Sequence, residues 1–575
     1  MKVLLTAINA RYIHSNLAVY SLKAYANRED INIEIFEYTI NHYVEDILQD
    51  LYKQGGDVLC FSCYIWNIDM VISLAKEIHK LRPDVPIWVG GPEVSHNAYQ
   101  VLSNHKEISI VMMGEGEQTF LELLEMKQDG SRQLSDIKGI AYRKEDGSIC
   151  INEPREVLDM STIPFVYQDD MMKKFENKII YYETSRGCPF ACSYCLSSVD
   201  RKVRFRKKEL VEQELQFFLD HKVKQVKFVD RTFNCHREHA RNIWEYITKH
   251  DNGVTNFHFE VSADILKEED LILFQKMRPG LIQLEIGVQS TYEPTIKEID
   301  RTMNLERLKA IVEKINSYEN IHQHLDLIVG LPYETYERFI VSFNDVHAMN
   351  PNQLQLGFLK VLKGSKMHRL RKEYGIAYWD KAPYEVLYTN WVTFDEVLRL
   401  KGVEEMVEVY YNSNQYVNTI RYLLHFFESP YAFYDSLARY YEEKGLNEYK
   451  HNRLARYEIL MDFLKVWNEE KQTIDLVIIE DIMLYDLYLR ENVKKRPYWA
   501  KDQSVWKKAY HPYYKQYKTA HVEQFQFDVV ETAKSGKIVG EPCHIGFHYE
   551  ERNPLTYDAT TKVVTIDVVD EMKIS

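Results

Sequence analysis

Residues 185–195 read SRGCPFACSYC. Three of the eight cysteines in a 575-residue chain, Cys188, Cys192 and Cys195, stand here with the spacing C-x3-C-x2-C. A closed structural zinc site takes four ligands, usually as two Cys/His pairs. No second C-x2-C or H-x3-H follows at a suitable spacing. A redox pair uses two thiols and leaves the third without a task. Three thiolates on a 4Fe-4S cluster leave one iron without a protein ligand, as needed when a substrate or cofactor binds the metal directly.

Outward from this loop, residues 176–365 alternate apolar runs with helix-length segments. The runs are IIYYETS (179–185), QVKFVD (225–230), FHFEVS (257–262), IQLEIGVQ (282–289), HLDLIVG (324–330) and QLQLGFL (353–359). Their separations suit β-helix-β crossovers. Several end in polar residues: Glu183, Asp230, Glu260, Glu285, Gln289 and Asp326. That is expected where a partial α/β, TIM-like barrel builds its site at the carboxyl ends of its strands.

Residues 1–127 carry the same alternation. KVLLTAI (2–8), INIEIFEY (31–38), VLCFSCY (58–64), PIWVGG (86–91) and SIVMMG (109–114) are nearly continuous in apolar character, as strands buried on both faces are. Five β-α units predict a doubly wound, Rossmann-like sheet whose ligand lies beyond the carboxyl ends of the strands, at the loops after Ile8, Tyr64, Gly91 and Gly114. Residues 128–175 read as a connection with a small hairpin turning at Asp146-Gly147. Residues 176–375 form the barrel domain. Residues 376–575 read as a mixed, mainly helical C-terminal domain, Tyr-rich over 390–525, with a small β element where VEQFQFDVV and KVVTIDVV alternate with period two.

RGCPFACSYC followed by six β-α units resembles the radical S-adenosylmethionine (SAM) superfamily. The subgroup with an N-terminal cobalamin-binding domain is matched further by GGPEVS (90–95), GEGE (114–117), VDRTFN (229–234), IGVQS (286–290) and GLPYET (330–335). The whole chain is similar to a bacterial family whose C-terminal region has no assigned function. The resemblance implies that Cys188, Cys192 and Cys195 hold a 4Fe-4S cluster and that SAM chelates its fourth iron. One electron then cleaves the sulfonium to a 5′-deoxyadenosyl radical. It places the SAM contacts at Tyr194, Asp230, Glu260, Glu285, Gly287, Gln289, Ser290 and Gly330. The glycines admit close backbone approach, and Glu285, Gln289 and Ser290 offer bonds to ribose hydroxyls or the methionyl part. Asp230 and Glu260 have a second reading, as partners of Arg186 or Arg231 in internal ion pairs.

Cobalamin contacts implied by the resemblance fall at Asn9, His14, Ser62, Tyr64, Gly90, Gly91, Glu93 and Gly114. In the cobalamin pattern D-x-H-x-x-G, the His is the cobalt's lower ligand. Here Tyr12 stands at the Asp position and Leu17 at the Gly position of NARYIHSNLA. The carboxylate that orients a metal-bound imidazole is missing, so His14 is expected to be a polar contact rather than a cobalt ligand. Cys60 and Cys63 form another C-x2-C, but their apolar strand setting predicts core packing.

The reaction expected by resemblance is methyl transfer to an unactivated carbon. Rearrangement, cyclisation or oxidation without methylation, and a cobalamin or redox sensor, are the alternatives. An external one-electron donor of flavodoxin or ferredoxin type is implied. The net charge of −14 gives no global attraction to nucleic acid. Residues 494–518 nevertheless hold eight Lys or Arg against one Asp, with seven Tyr or Trp interleaved. Basic groups with stacking aromatics suit RNA or a nucleotide-bearing substrate; the alternative is a solvated helix face whose aromatics pack inward. Sparse cysteines do not make a disulfide scaffold, no window is a membrane span, and the N-terminus reads as a buried strand, so a cytoplasmic protein is expected.

Overall fold

The computed structural model describes residues 1–566. The first sheet contains β1 (Lys2–Asn9), β2 (Asn32–Thr39), β3 (Val58–Ser62), β4 (Ile87–Gly90), β5 (Ile110–Met112), β6 (Ile140–Arg143) and β7 (Ile149–Ile151). Their order is β2-β1-β3-β4-β5-β6-β7. The first five are parallel, and β6 and β7 add antiparallel. Helices cover both faces, and the strands between them are buried on both sides: Val3, Ala7, Val58, Cys60 and Val89 have no exposure. The hairpin at Asp146-Gly147 therefore belongs to this sheet rather than to the connection. It covers the edge of β5, which would otherwise present unpaired backbone groups.

The second sheet contains β8 (Ile180–Tyr182), β11 (Gln225–Phe228), β12 (Asn256–Val261), β13 (Ile282–Gln289), β14 (His322–Val329) and β15 (Gln353–Phe358). All are parallel and neighbours in sequence order, β15-β14-β13-β12-β11-β8. Between β8 and β11 a short antiparallel ribbon, β9 (Ser185–Arg186) with β10 (Arg204–Phe205), folds the cysteine loop back. Unlike the first sheet, these strands alternate. Phe228, Phe259, Leu284, Ile286, Leu325 and Leu327 are fully buried beneath the helices, whereas Lys227, His258 and Glu285 lie together on the other, concave face.

The barrel is open, since β8 and β15 do not pair. Other segments fill both edges. Beside β8, the Ile179 N–H donates to the Ile13 carbonyl at 2.7 Å, and the Ser15 hydroxyl to the Ile179 carbonyl at 3.0 Å. Beside β15, the Asn412 side chain accepts from the Leu354 N–H at 2.8 Å and donates to its carbonyl at 2.9 Å, as a neighbouring strand would. Asn412 ends a π-helical turn, Glu408–Asn412. A hairpin of β16 (Ala377–Tyr378) and β17 (Val386–Tyr388) extends the same wall through a Lys360–Glu385 bridge.

The rest of the C-terminal region is helical, with an antiparallel sheet of β18 (His521–Phe525), β19 (Cys543–Arg552) and β20 (Ala559–Val563). Residues 567–569 of the second alternating run lie outside the described residues. Among the described residues no helix is long and apolar enough to cross a membrane.

Candidate functional site

The cysteine loop is fixed by its backbone. Gly187 has φ +90°, and a Cβ there would lie 2.7 Å from the Lys202 carbonyl oxygen, so only glycine fits between ribbon and loop. The Cys188 N–H donates to the Asp200 carbonyl at 2.9 Å, the Ser193 N–H to Ile299 at 2.9 Å, and the Met367 N–H to Ser193 at 2.7 Å. These bonds tie the loop to three parts of the barrel mouth. No cysteine of the chain is disulfide-bonded. Burial pushes the Cys188 thiol up, and Cys195 and Cys192 add to the shift, so the three share one neighbourhood. Among the described residues no three His, Cys, Asp or Glu side chains converge on a single ion-sized point. Thiolates at this loop would face Arg301, whose Nη1 is 3.9 Å from Cys192 Sγ.

Arg301 also donates to the Gly287 carbonyl and lies 3.4 Å from the Tyr194 hydroxyl. It thereby joins the cysteine loop to the end of β13. Gln289, at the same strand end, has φ +73°. Its Oε1 and the Arg301 Nε are buried with no protein partner, an unmet demand that a ligand can satisfy. A side chain at Gly287 would collide with the Gln289 amide. These observations fit SAM beside the cluster. Nothing in the sequence pattern singles out Arg301, because it sits in a connection with no periodicity and reaches the cysteines only through the fold.

Other residues expected at SAM are committed elsewhere. Asp230 is fully buried and accepts from the Thr184 N–H at 2.9 Å, the Thr184 hydroxyl at 2.6 Å and the Ser185 hydroxyl at 2.7 Å. Burial pushes its carboxyl up to about 7. It braces the strand entering the cysteine loop and is not offered to a ligand. Neither is it the partner of Arg186 or Arg231. Ser290 is also fully buried and donates to Glu334 at 2.6 Å. Gly330, at φ +89°, turns against β17, where a Cβ would meet Val386 at 3.1 Å. Glu260 pairs with Arg231 at 3.3 Å, as the ion-pair reading has it. Glu285 takes Lys227 at 2.9 Å and His258 at 3.0 Å.

The carboxyl edge of the first sheet meets this mouth. Arg186, two positions before Cys188, bonds Glu117 at 2.5 Å and Glu183 at 2.9 Å, while Arg204 bonds Glu115. GEGE is thus the first domain's half of an ionic seam. Tyr64 stacks on Trp66 with centroids 4.4 Å apart. Tyr12, Ile13, Ile40, Tyr43 and Trp66 stand exposed on the loops after β1, β2 and β3. An apolar rim of this kind suits the face of a corrin. Gly114, at φ +74° after β5, has no atom within 4 Å of where a Cβ would stand.

Several residues expected at cobalamin instead hold the edge together. Asn9 donates to the His14 carbonyl at 3.2 Å and to Glu37 at 3.1 Å. Ser62 accepts from Asn16 at 3.3 Å. A Cβ on Gly90 would meet Met112 at 3.3 Å; one on Gly91, at φ +116°, would lie 2.5 Å from the Cys63 carbonyl oxygen. Glu93 accepts from the Tyr384 hydroxyl and lies 3.5 Å from Lys363, along a polar cleft between the domains. His14 Nδ1 is 2.7 Å from the Tyr181 hydroxyl on β8. Its missing loop carboxylate is replaced by a group from the barrel. Cys60 and Cys63 are buried core residues.

A B12 binding domain model matches residues 3–124, a radical SAM superfamily model residues 182–346, and a "protein of unknown function (DUF4080)" model residues 372–547. The chain is a radical SAM protein with a cobalamin-binding domain. A radical SAM domain carries a 4Fe-4S cluster and SAM, and a B12 domain carries cobalamin; these are this radical SAM protein's cofactors. The cobalamin-dependent radical SAM methyltransferase TokK of Streptomyces tokunonensis is 25% identical over 350 residues, covering 57% of this chain and 50% of that one. The 2-(S-pantetheinyl)-carbapenam-3-carboxylate methyltransferase of Streptantibioticus cattleyicolor is 22% identical over 460 residues, 73% of this chain and 67% of the other. The chain thus spans half to two-thirds of these relatives' lengths. The cobalamin-dependent SAM radical enzyme OxsB, with aqua-cobalamin bound, superposes with TM-score 0.58 at 15% identity, over 93% of this chain and 77% of its own. That likeness shows the shared fold.

The basic 494–518 segment does not present a stacking surface. Tyr510 is buried beside His544 at 2.9 Å, Tyr513 reaches His548 at 2.7 Å, Tyr514 accepts from the Val522 N–H at 3.1 Å, and Trp506 donates to Gln524 at 3.0 Å. These four aromatics face the terminal sheet, Tyr498 is exposed and donates to Asp462, and Lys507, Lys508, Lys515 and Lys518 point to solvent. This is the amphipathic helix face, and it removes base stacking from the case for RNA.

Proposed function

We propose that this radical SAM protein is a cobalamin-dependent methyltransferase that methylates an unactivated carbon. The observation that carries the reading is the junction of the two domains: Arg186, two positions before Cys188, is bonded to Glu117 at the carboxyl edge of the first sheet, so the three-cysteine loop adjoins that edge. Cys188, Cys192 and Cys195 would ligate the cluster. Gln289, Gly287, Tyr194 and Arg301 would hold SAM, and Tyr64, Trp66 and Gly114 would border the corrin. When bound, the cluster supplies the electron that cleaves SAM, and cobalamin carries the methyl group. The chain's own part is geometric. Arg186 and Arg204 fix the cluster loop to the first domain, Arg301 balances thiolate charge, and the edges filled at Ile179 and Leu354 screen the chamber from water.

A flavodoxin- or ferredoxin-type donor would supply the electron, and eight unpaired cysteines agree with a cytoplasmic setting. The test is anaerobic reconstitution followed by measurement of 5′-deoxyadenosine and S-adenosylhomocysteine. Methyl transfer through cobalamin yields both. 5′-Deoxyadenosine without S-adenosylhomocysteine points to rearrangement, cyclisation or oxidation. Neither product leaves a sensor.

A further inference from the structure

TIM-type barrels usually fill their interior with layers of branched apolar side chains. The concave face of this barrel is built otherwise. The strand register sets Lys227 beside His258, His258 beside Gln283, and Gln283 beside His322. One step nearer the mouth, Glu285 lies beside His324; one step further, Gly287 lies beside Asp326. Six ionisable groups, Lys227, His258, Glu285, His322, His324 and Asp326, thus line neighbouring strands on one face. Burying such groups is costly unless each is paired.

The pairing is incomplete. Lys227 and His258 both crowd one oxygen of Glu285, Oε2, at 2.9 and 3.0 Å. His324 Nε2 lies 3.0 Å from Asp326 Oδ1. His322 Nδ1 is buried with no partner, whereas His258 Nε2, His324 Nε2 and Asp326 Oδ1 have only these poorly aligned neighbours at 3.0 Å. A buried polar atom without a partner is costly, and one unpartnered imidazole nitrogen beside two poorly aligned ion pairs leaves hydrogen-bonding capacity for a ligand. None of these four residues is among those placed at the cluster, SAM or corrin.

The chemistry of the walls narrows the ligand. A chamber of six ionisable groups repels an apolar substrate. Two carboxylates facing one ammonium give no surplus of positive charge for phosphates. What the walls do offer is both signs on opposite sides: the Lys227 ammonium with His258 on β11 and β12, and the Asp326 carboxylate on β14. We propose that this chamber is the substrate pocket and that it takes a small amphoteric molecule, an amine held at Asp326 and a carboxylate at Lys227 and His258. The proposal rests on the reading of the barrel as the site of radical SAM chemistry.

The test works with an unidentified substrate. A deproteinised cell extract under about 1 kDa is divided by charge. Molecules retained on a cation exchanger at low pH and on an anion exchanger at high pH are amphoteric. The whole extract is dialysed to equilibrium against the reconstituted holoprotein with saturating SAM on both sides, and the masses enriched on the protein side, SAM and its fragments excluded, are assigned to fractions. The wild-type chain should enrich an amphoteric mass. Asp326→Asn and Lys227→Met should each weaken its retention at least tenfold, and the surface variant Lys507→Gln should retain it fully. Thermal unfolding of each variant shows that it is folded. Should both chamber variants unfold, His322→Gln takes their place, with the same loss expected.

Enrichment of only phosphorylated or apolar masses, equal enrichment by wild type and variants, or none by wild type overturns the proposal. In parallel, the enriched fraction is added to reconstituted holoprotein. If amphoteric enrichment holds but no SAM is cleaved, the reading of the function fails and the pocket stands. If SAM is cleaved and the enrichment fails, the pocket assignment alone falls.

Discussion

Replacing Arg186 by Gln tests the seam between the domains. The Arg186 side chain is 16% exposed and those of Glu117 and Glu183 are 5% and 22% exposed. Without the guanidinium, the two carboxylates face each other with Glu115 nearby and lose their nearest counter-charge. Removing one member of a buried pair costs about 3–5 kcal/mol, chiefly by stranding the other charge. The partial exposure of Glu183 places the expectation at the lower end, about 3 kcal/mol.

The cost should depend on pH. Burial already raises the Glu183 carboxyl above its ordinary value, and Arg186 opposes that rise. A carboxyl with a raised folded-state pKa keeps its proton in the native chain after the unfolded chain has lost it. Stability therefore falls as pH climbs from the ordinary carboxylate range through the raised value. Arg186→Gln raises it further, so the variant should lose more stability at pH 8 than at pH 5.5. The double variant Arg186→Gln/Glu117→Gln should recover at least 1 kcal/mol, since it removes one stranded charge. Equilibrium urea unfolding under argon, followed by tryptophan fluorescence, measures the wild type, both single variants and the double. A loss below about 1 kcal/mol at pH 8, or a double variant as unstable as the sum of the singles, would refute a buried ionic seam.

Cys188→Ala, Cys192→Ala and Cys195→Ala should each lose the 4Fe-4S cluster by iron and sulfide analysis, whereas Cys60→Ala and Cys63→Ala should keep it; one loop variant with a full cluster would defeat the ligand assignment. His14→Ala should leave corrinoid binding largely intact and the bound cobalamin's optical spectrum little changed, because its loop lacks the carboxylate that orients a cobalt-bound imidazole; a marked spectral shift would show that His14 ligates cobalt, with Tyr181 as the partner of its other nitrogen. Gly91→Ala should lose at least ~3 kcal/mol of first-domain stability, since the added Cβ would sit 2.5 Å from a backbone oxygen, and calorimetry finding less would contradict the packing of β3 on β4. Lys507, Lys508, Lys515 and Lys518 changed together to Gln should leave binding of small RNA unaltered across a salt series, because the interleaved aromatics are internal; a flattened salt slope would restore nucleic acid as a partner.

Where the sequence carries a period or a tight spacing, it was decisive. The five continuous apolar runs of the first domain and the six of the barrel appear as strands within one or two residues of the expected limits, except that β8 stops at Tyr182, three residues short of the run 179–185. The C-x3-C-x2-C spacing alone set three thiols on one short loop. The family resemblance then supplied the cofactors. Tertiary structure decided which polar residues remain free. Asp230 and Ser290 read as site residues because they end strands, yet each satisfies donors or acceptors from elsewhere in the chain, Asp230 forty-six residues away from Thr184. Arg301 reaches Cys192 across 109 residues, and Tyr181 reaches His14 across 167. Only folding creates such distances. The same holds for the lumen. His258 and His324 carry no motif in the sequence, Glu285 and Asp326 read only as strand ends, and the parallel register sets all four on one face of the sheet. A strand's period says that a side chain leaves one face of a sheet; what it meets there depends on the curvature of the sheet and on the segments that close its edges.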